Sequence, residues 1–287
     1  MGGCSNITSL PEDCVSRILS LTSPQDVCRM SVVSKDFRIP VESNVVWDKF
    51  LPSDCWVIVS STTCTNPVKF ASKKELFFLL CNSILVDGGY KAFALEKSSG
   101  RKSYILSARE LSILHGDVER NWTWKSIQES RFPEVAELIT VDRLEIHGRI
   151  KAHTLSPNTK YGAYLVFKIS DNSFGLDSIP WEVSISSGDR ILTTNTACLR
   201  DPDDKNRALK GLFYGNRAQM MKERVHKGDE KEARKRGDGW LEMEVGEFFV
   251  ACDHEIDEEI EMSLMEVKGY QLKGGLIVEG IEVRPKD

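Results

Sequence analysis

Residues 9–52 read SLPEDCVSRILSLTSPQDVCRMSVVSKDFRIPVESNVVWDKFLP, and this stretch sets how the chain begins to fold. Ser9 with Glu12 three residues later has the form of a capping box, and Pro11 stands where a helix tolerates proline best, so a helix is expected from about Pro11. Leu10, Cys14, Val15, Ile18 and Leu19 then recur at three- and four-residue spacing and make one apolar stripe. Ser23-Pro24-Gln25-Asp26 starts a second helix carrying Val27, Met30 and Val33, and Ser34 starts another turn before Phe37. A last apolar group, Val45, Val46, Trp47, Phe50 and Leu51, ends at Pro52. So short a segment cannot cover all of these side chains itself. Either an exposed apolar patch marks a protein interface, or the helices pack onto the rest of the chain.

Composition bounds the remainder. The chain has 287 residues, 41% hydrophobic and 28% charged, which is the balance of a folded chain with one large domain or two ordinary ones. With 38 basic against 43 acidic residues the net charge is -5, and no global attraction to nucleic acid or to an anionic membrane is expected. The cysteines are scattered without a C-x-x-C pair, so neither a zinc site nor a redox motif has its spacing, and no metal or cofactor is expected. No segment approaches the roughly 18 to 20 apolar residues that span a bilayer. The opening residues lack the basic start and apolar run of a secretory signal, and a cytoplasmic or nuclear location is expected.

Residues 1–8 are expected to be a flexible N-terminus, 9–54 a small helical module, 55–100 a linker with one short helix, and 101–287 a second domain. Ser60 to Pro67 is rich in Ser and Thr, whose side chains compete for local backbone hydrogen bonds. Ser72 with Glu75 caps the short helix through Leu80. From Tyr104 the period changes to two: Leu144, Ile146 and Gly148 alternate with polar residues, and the run from Tyr164 to Ile169 alternates likewise. Further strands are expected at Trp181 to Ser186, Trp240 to Val245, Ile260 to Val267 and Leu276 to Val283. Six to eight half-buried antiparallel strands imply a β-sandwich, so the fold class is α+β in two parts.

Three features of the second part could carry chemistry. Trp122 and Trp124 lie two residues apart and would share one face of a strand, either as an aromatic platform for the C–H faces of a sugar or as two core side chains. The acidic run Asp253 to Glu261 lacks the spacing of a calcium loop and reads as a solvated turn. The basic stretch Lys222 to Arg236 is interleaved with acids and reads as a solvated insertion.

The residues of the first part carry a resemblance. Leu10-Pro11-Glu12-Asp13, Ile18-Leu19, Val27-Cys28-Arg29, Ser31 to Lys35, Phe37-Arg38 and Val46-Trp47 resemble an F-box. The resemblance implies docking to the Skp-type adaptor of a cullin-RING ubiquitin ligase, with Leu10, Pro11, Ile18, Leu19, Val27, Val33 and Trp47 as apolar contacts. Cys28 and Pro40 depart from the usual pattern.

Residues 101–285 resemble the plant phloem lectin (phloem protein 2, Nictaba-like) family, through Ser107 to Ile113, Asn121-Trp122-Thr123-Trp124, Glu134 to Leu138, Tyr164 to Lys168, Asp238 to Glu242 and Leu264-Met265-Glu266. What this implies is a jelly-roll-like lectin sandwich that binds N-acetylglucosamine oligomers or N-glycan cores. The carbohydrate-binding residues it implies are His115, Trp122, Trp124, Glu259 and Glu266. His115 and Arg143 stand where the lectins carry tryptophan. Glu259 and Glu266 are seven apart and on one regular strand would face opposite sides.

Two functions follow from the combined resemblance. One is a non-catalytic substrate-recognition subunit of an SCF ubiquitin ligase, the F-box holding the adaptor and the lectin-like domain capturing a protein target through its glycan. The other is a stand-alone intracellular lectin whose F-box is not essential. No nucleophile-base pairing or phosphate loop points to an enzyme.

Overall fold

The computed structural model describes residues 10–63, 69–176, 180–200, 202, 230–252, 258–266 and 271–286. The expected flexible residues 1–8 and the capping residue Ser9 lie outside them, as do residues 222–229 of the basic stretch and residues 253–257 of the acidic run. The chain divides into two compact units, Met1–Ser103 and Tyr104–Asp287.

Unit one begins with α1 (Glu12–Leu19) and α2 (Pro24–Val33). Ser23 caps α2 by accepting from the Asp26 amide at 3.1 Å, and Pro24 opens the helix where a missing N–H costs nothing. Pro11 itself occupies the position before α1 and makes no side-chain cap. After a 3-10 turn come α3 (Arg38–Glu42) and α4 (Asn44–Asp48). Pro40 lies buried inside α3, and that helix and the following α4 are each only five residues long, as expected where a proline removes an amide donor.

Residues 55–100, expected as a linker with one short helix, hold that helix and further elements besides. They carry α5 (Cys55–Ser60), α6 (Lys73–Leu80) and the hairpin β1 (Ile84–Val86) and β2 (Lys91–Leu95), paired antiparallel. Leu76, Phe77 and Leu80 are fully buried, and the Phe77 ring lies 5.2 Å from that of Trp47. The apolar residues of α6 and the F-box indole therefore share one core, and this is why the segment is not a mere tether.

Unit two is a sandwich of two sheets. Its strands are β3 (Lys102–Ser107), β4 (Ser112–Ile113), β5 (Trp122–Lys125), β6 (Val135–Leu138), β7 (Leu144–Lys151), β8 (Thr159–Phe174), β9 (Trp181–Ser187), β10 (Arg190–Cys198), β11 (Glu230–Glu232), β12 (Arg234–Lys235), β13 (Leu241–Val250), β14 (Glu259–Glu266) and β15 (Gly274–Pro285). One sheet runs β3-β15-β8-β13-β12, with the β5–β6 hairpin joined to β15; the other runs β11-β10-β9-β14-β7-β4. All pairings within unit two are antiparallel except β10 with β11.

Between the sheets the inward residues of β7 and β14 alternate in register: Leu144, Ile146, Ile150, Ile260, Met262 and Leu264 are buried. A Cβ on Gly148 would meet Ile281 Cδ1 at 3.0 Å, and one on Gly246 would meet Thr193 Oγ1 at 2.5 Å. These two positions let the sheets approach where a side chain would hold them apart. β8 departs from the half-buried expectation, because Tyr161 to Phe167 are buried on both faces. A second small cluster, Val135, Val166, Trp240 and Ile277, covers its outer side.

Candidate functional site

On unit one, the F-box residues divide by exposure. Leu10 is 42% exposed, Ile18 39% and Val33 72%, while Leu19, Val27 and Trp47 are 2%, 0% and 0%. Pro11 is exposed as well. Trp47 donates its indole N–H to the Val41 carbonyl at 2.6 Å and its ring lies 5.8 Å from Phe50. In this chain Leu19, Val27 and Trp47 are thus core residues that shape the surface, and the expectation that they present themselves to a partner does not match their positions. The physical reason is size and pattern, since they occupy the inward positions of the same stripes whose outward members are free. Ile18, of the exposed group, joins Leu19, Thr22, Arg29, Met30 and Phe37 in lining an open apolar groove of about 370 Å³.

On unit two, most of the expected binding residues gather at one end of the sandwich. β4 pairs with β7 at Ser112↔His147 and Ile113↔Ile146, which puts the following loop beside the start of β7. In that loop His115 is exposed and adopts a left-handed backbone with φ 60°, a conformation uncommon outside glycine. Its carbonyl accepts from the Val118 amide at 3.0 Å, and the Val118 carbonyl accepts in turn from Asn121 at 2.8 Å, so two tight turns hold the loop.

Trp122 and Trp124 do share a face of β5, and both indoles are spent on this loop. Trp122 donates to the Leu114 carbonyl at 3.2 Å and Trp124 to the Gly116 carbonyl at 3.1 Å. Trp122 is buried, so of the two readings weighed for it, core side chain is the one its position fits. Trp124 is half-buried, but its ring is covered by the Arg109 guanidinium, 3.6 Å from the ring centre. Arg109 is held there by Glu134, which accepts from Nε at 2.9 Å and from Nη2 at 2.8 Å. An open aromatic platform is therefore not what the pair forms. Together the two tryptophans brace the loop that presents His115.

The glutamates separate. β14 pairs with β7 through all eight residues without a bulge, so Glu259 and Glu266 stand at opposite ends and point to opposite faces. Glu259 is exposed beside Lys151, away from the His115 loop. Glu266 is buried opposite Leu144 and forms an ion pair with the buried Lys273. The implied set of five residues is thus no single constellation: His115, Trp122, Trp124 and Glu266 belong to one end of unit two and Glu259 to the other. Parity along a regular strand is the reason.

Two residues of this end escaped the sequence reading, Arg109 and Lys273. Arg109, between Ala108 and Glu110, lies in the Ser107 to Ile113 stretch that carries the family resemblance, but nothing local assigns it a partner, and only the tertiary fold puts Trp124 beneath it. Lys273 stands before a Gly-Gly turn, where a lysine ordinarily signals an exposed loop; its burial depends on a partner from another strand. Among the described residues no group of three or more His, Cys, Asp or Glu side chains could hold a metal ion. No described helix is long and apolar enough to cross a membrane.

Comparison with known proteins follows the same two-part division. The F-box domain family matches residues 7–49 and the phloem protein 2 family matches residues 101–285. The Arabidopsis thaliana F-box protein PP2-B13 is 49% identical over 280 residues, covering 96% of this chain and 98% of that one. F-box protein VBF of the same plant is 46% identical, with 96% and 99% covered, and F-box protein PP2-B15 is 47% identical, with 96% of each covered. The chain therefore belongs to the phloem protein 2 family, as a member that carries an F-box ahead of its phloem protein 2 domain.

Proposed function

We propose that the chain is the substrate-recognition subunit of an SCF-type ubiquitin ligase, without catalytic chemistry of its own. The F-box docks a Skp-type adaptor, and through it a cullin-RING ligase, while the lectin-like unit captures a protein target through its glycan. The observation that carries the reading is the split within the F-box. Its core closes around Leu19, Val27 and Trp47, yet Leu10, Pro11, Ile18 and Val33 stay exposed, and Ile18 lines an apolar groove. Exposed apolar patches next to a concave surface favour protein partners. Capture by the second unit is supported by the family, by the braced loop with its exposed His115, and by the exposed Arg143 at the same end. Both proposed halves act in the cytoplasm or nucleus. The test mixes the purified chain with a plant Skp adaptor: co-elution lost on Leu10→Ala with Pro11→Ala supports the reading, and absence of co-elution with the wild-type chain overturns it.

A further inference from the structure

Lys273 is a fully buried cation: its ammonium donates to the Asp142 carbonyl at 2.7 Å and to the Gln271 carbonyl at 3.0 Å, and it forms an ion pair with the Glu266 carboxylate. An ammonium donates and cannot accept, so two carbonyls and a carboxylate are partners that suit it. The backbone of Lys273 adds two bonds, its amide to the Val141 carbonyl at 2.8 Å and its carbonyl from the Val141 amide at 3.0 Å. Segment 139–143 is thus clamped to Lys273 by main chain and side chain together.

From there the bonding continues to the His115 loop. The Ile139 amide donates to the Asn121 carbonyl at 2.8 Å, and Asn121 Nδ2 donates to the Thr140 carbonyl at 2.8 Å. Asn121 closes the turn that Val118 and His115 begin. Arg143, exposed, follows directly on Asp142, whose carbonyl Lys273 holds.

We propose that Lys273 is the positioning residue of this end of the lectin-like unit, and that Glu266 acts through Lys273 rather than on a ligand. The pair fixes segment 139–143, and with it the exposed side chains of His115 and Arg143, in the arrangement a glycan meets. Glu266, set at the inward-facing end of β14 and engaged by a buried ammonium, neutralises the Lys273 charge, and that makes the clamp tolerable in the interior. The inference rests on the reading that this end captures a glycan, but its structural half stands apart from that reading.

The test uses the full chain in three forms: wild type, Glu266→Gln, and Lys273→Met combined with Glu266→Met. The double variant removes the side-chain half of the clamp and takes out both charges of the pair together, which keeps it folded where Lys273→Met alone could fail. Amide exchange and binding of chitotetraose are both read. In the double variant, exchange in 139–143 and 113–121 is expected to speed up by about tenfold or more while β8 and β13 keep their protection. Chitotetraose affinity is expected to fall by about tenfold or more in the same variant, because loosened side chains lose preorganisation. A merely stabilising pair would instead raise exchange across the whole unit. Unchanged protection of 139–143 in the double variant overturns the proposal. So does loss of chitotetraose binding in Glu266→Gln with 139–143 protected as in wild type, since that would make Glu266 a direct contact. A wild-type chain that does not bind chitotetraose counts against capture of this glycan alone, and the exchange pattern still decides on Lys273.

Discussion

The Arg109 guanidinium lies 3.6 Å from the centre of the Trp124 ring, on a face that would otherwise be open for stacking. A cation over an indole at this distance adds about 0.5 to 1 kcal/mol at an exposed site. Removing it should uncover the ring at little cost in stability. Arg109→Ala is therefore expected to increase acrylamide quenching of tryptophan emission while the melting temperature moves by no more than a few degrees. Unchanged quenching would show that another group covers Trp124.

The F-box substitutions should separate surface from core. Val33→Asp adds a charge to a side chain that touches little of its own chain, so adaptor co-elution should disappear with the fold intact. Trp47→Ala empties a site packed by Phe50 and Phe77 and should cost about 3 to 5 kcal/mol. Circular dichroism melts of the two variants, run beside the co-elution assay, check both outcomes.

Acid should weaken unit two through Glu247. Hydrogen bonds from Lys160, and next from Lys286, hold its carboxyl down to about 2, against an ordinary value of 4.5. A carboxylate with a lowered folded-state value adds stability that is present above 4.5 and is lost as the pH falls through about 2. The partners lie near the surface, and solvent screening reduces the contribution to about 1 kcal/mol. In urea titrations Glu247→Gln should be less stable than wild type at pH 6, and the gap should close by pH 2. A gap of constant size would show that the ion pairs are not its source.

Gly280 allows β3 and β15 to pair. A Cβ there would lie 1.9 Å from the Leu106 carbonyl oxygen, which is backbone and cannot swing away. Gly280→Ala should destabilise unit two by about 3 kcal/mol or more, lowering its melting temperature while leaving adaptor binding by the F-box unit in place. A wild-type melting temperature would contradict the close approach.

How much of this was legible in the sequence varies with the range of the interaction. Ser23 capping α2, Ser72 capping α6 and the strands around Trp181, Leu264 and Val283 follow from rules that act over a few residues. Parity alone placed Trp122 with Trp124 on one face and set Glu259 against Glu266. The F-box stripe told which residues are apolar, but not which of them turn inward, because Trp47 is buried by Phe77, a residue of another helix.

The sequence by itself determined that this chain has a helical part followed by a β part, and which families the two parts resemble, since periodicity and motif order are written along the chain. Only the tertiary structure decided what the site residues do. Trp122 and Trp124 brace a loop, Arg109 covers a ring, and Glu266 answers a lysine, because each partner arrives from a separate strand or loop. A side chain's chemistry is local, but its partner is chosen by which strands pair and in which register, and that choice is made by the whole sandwich.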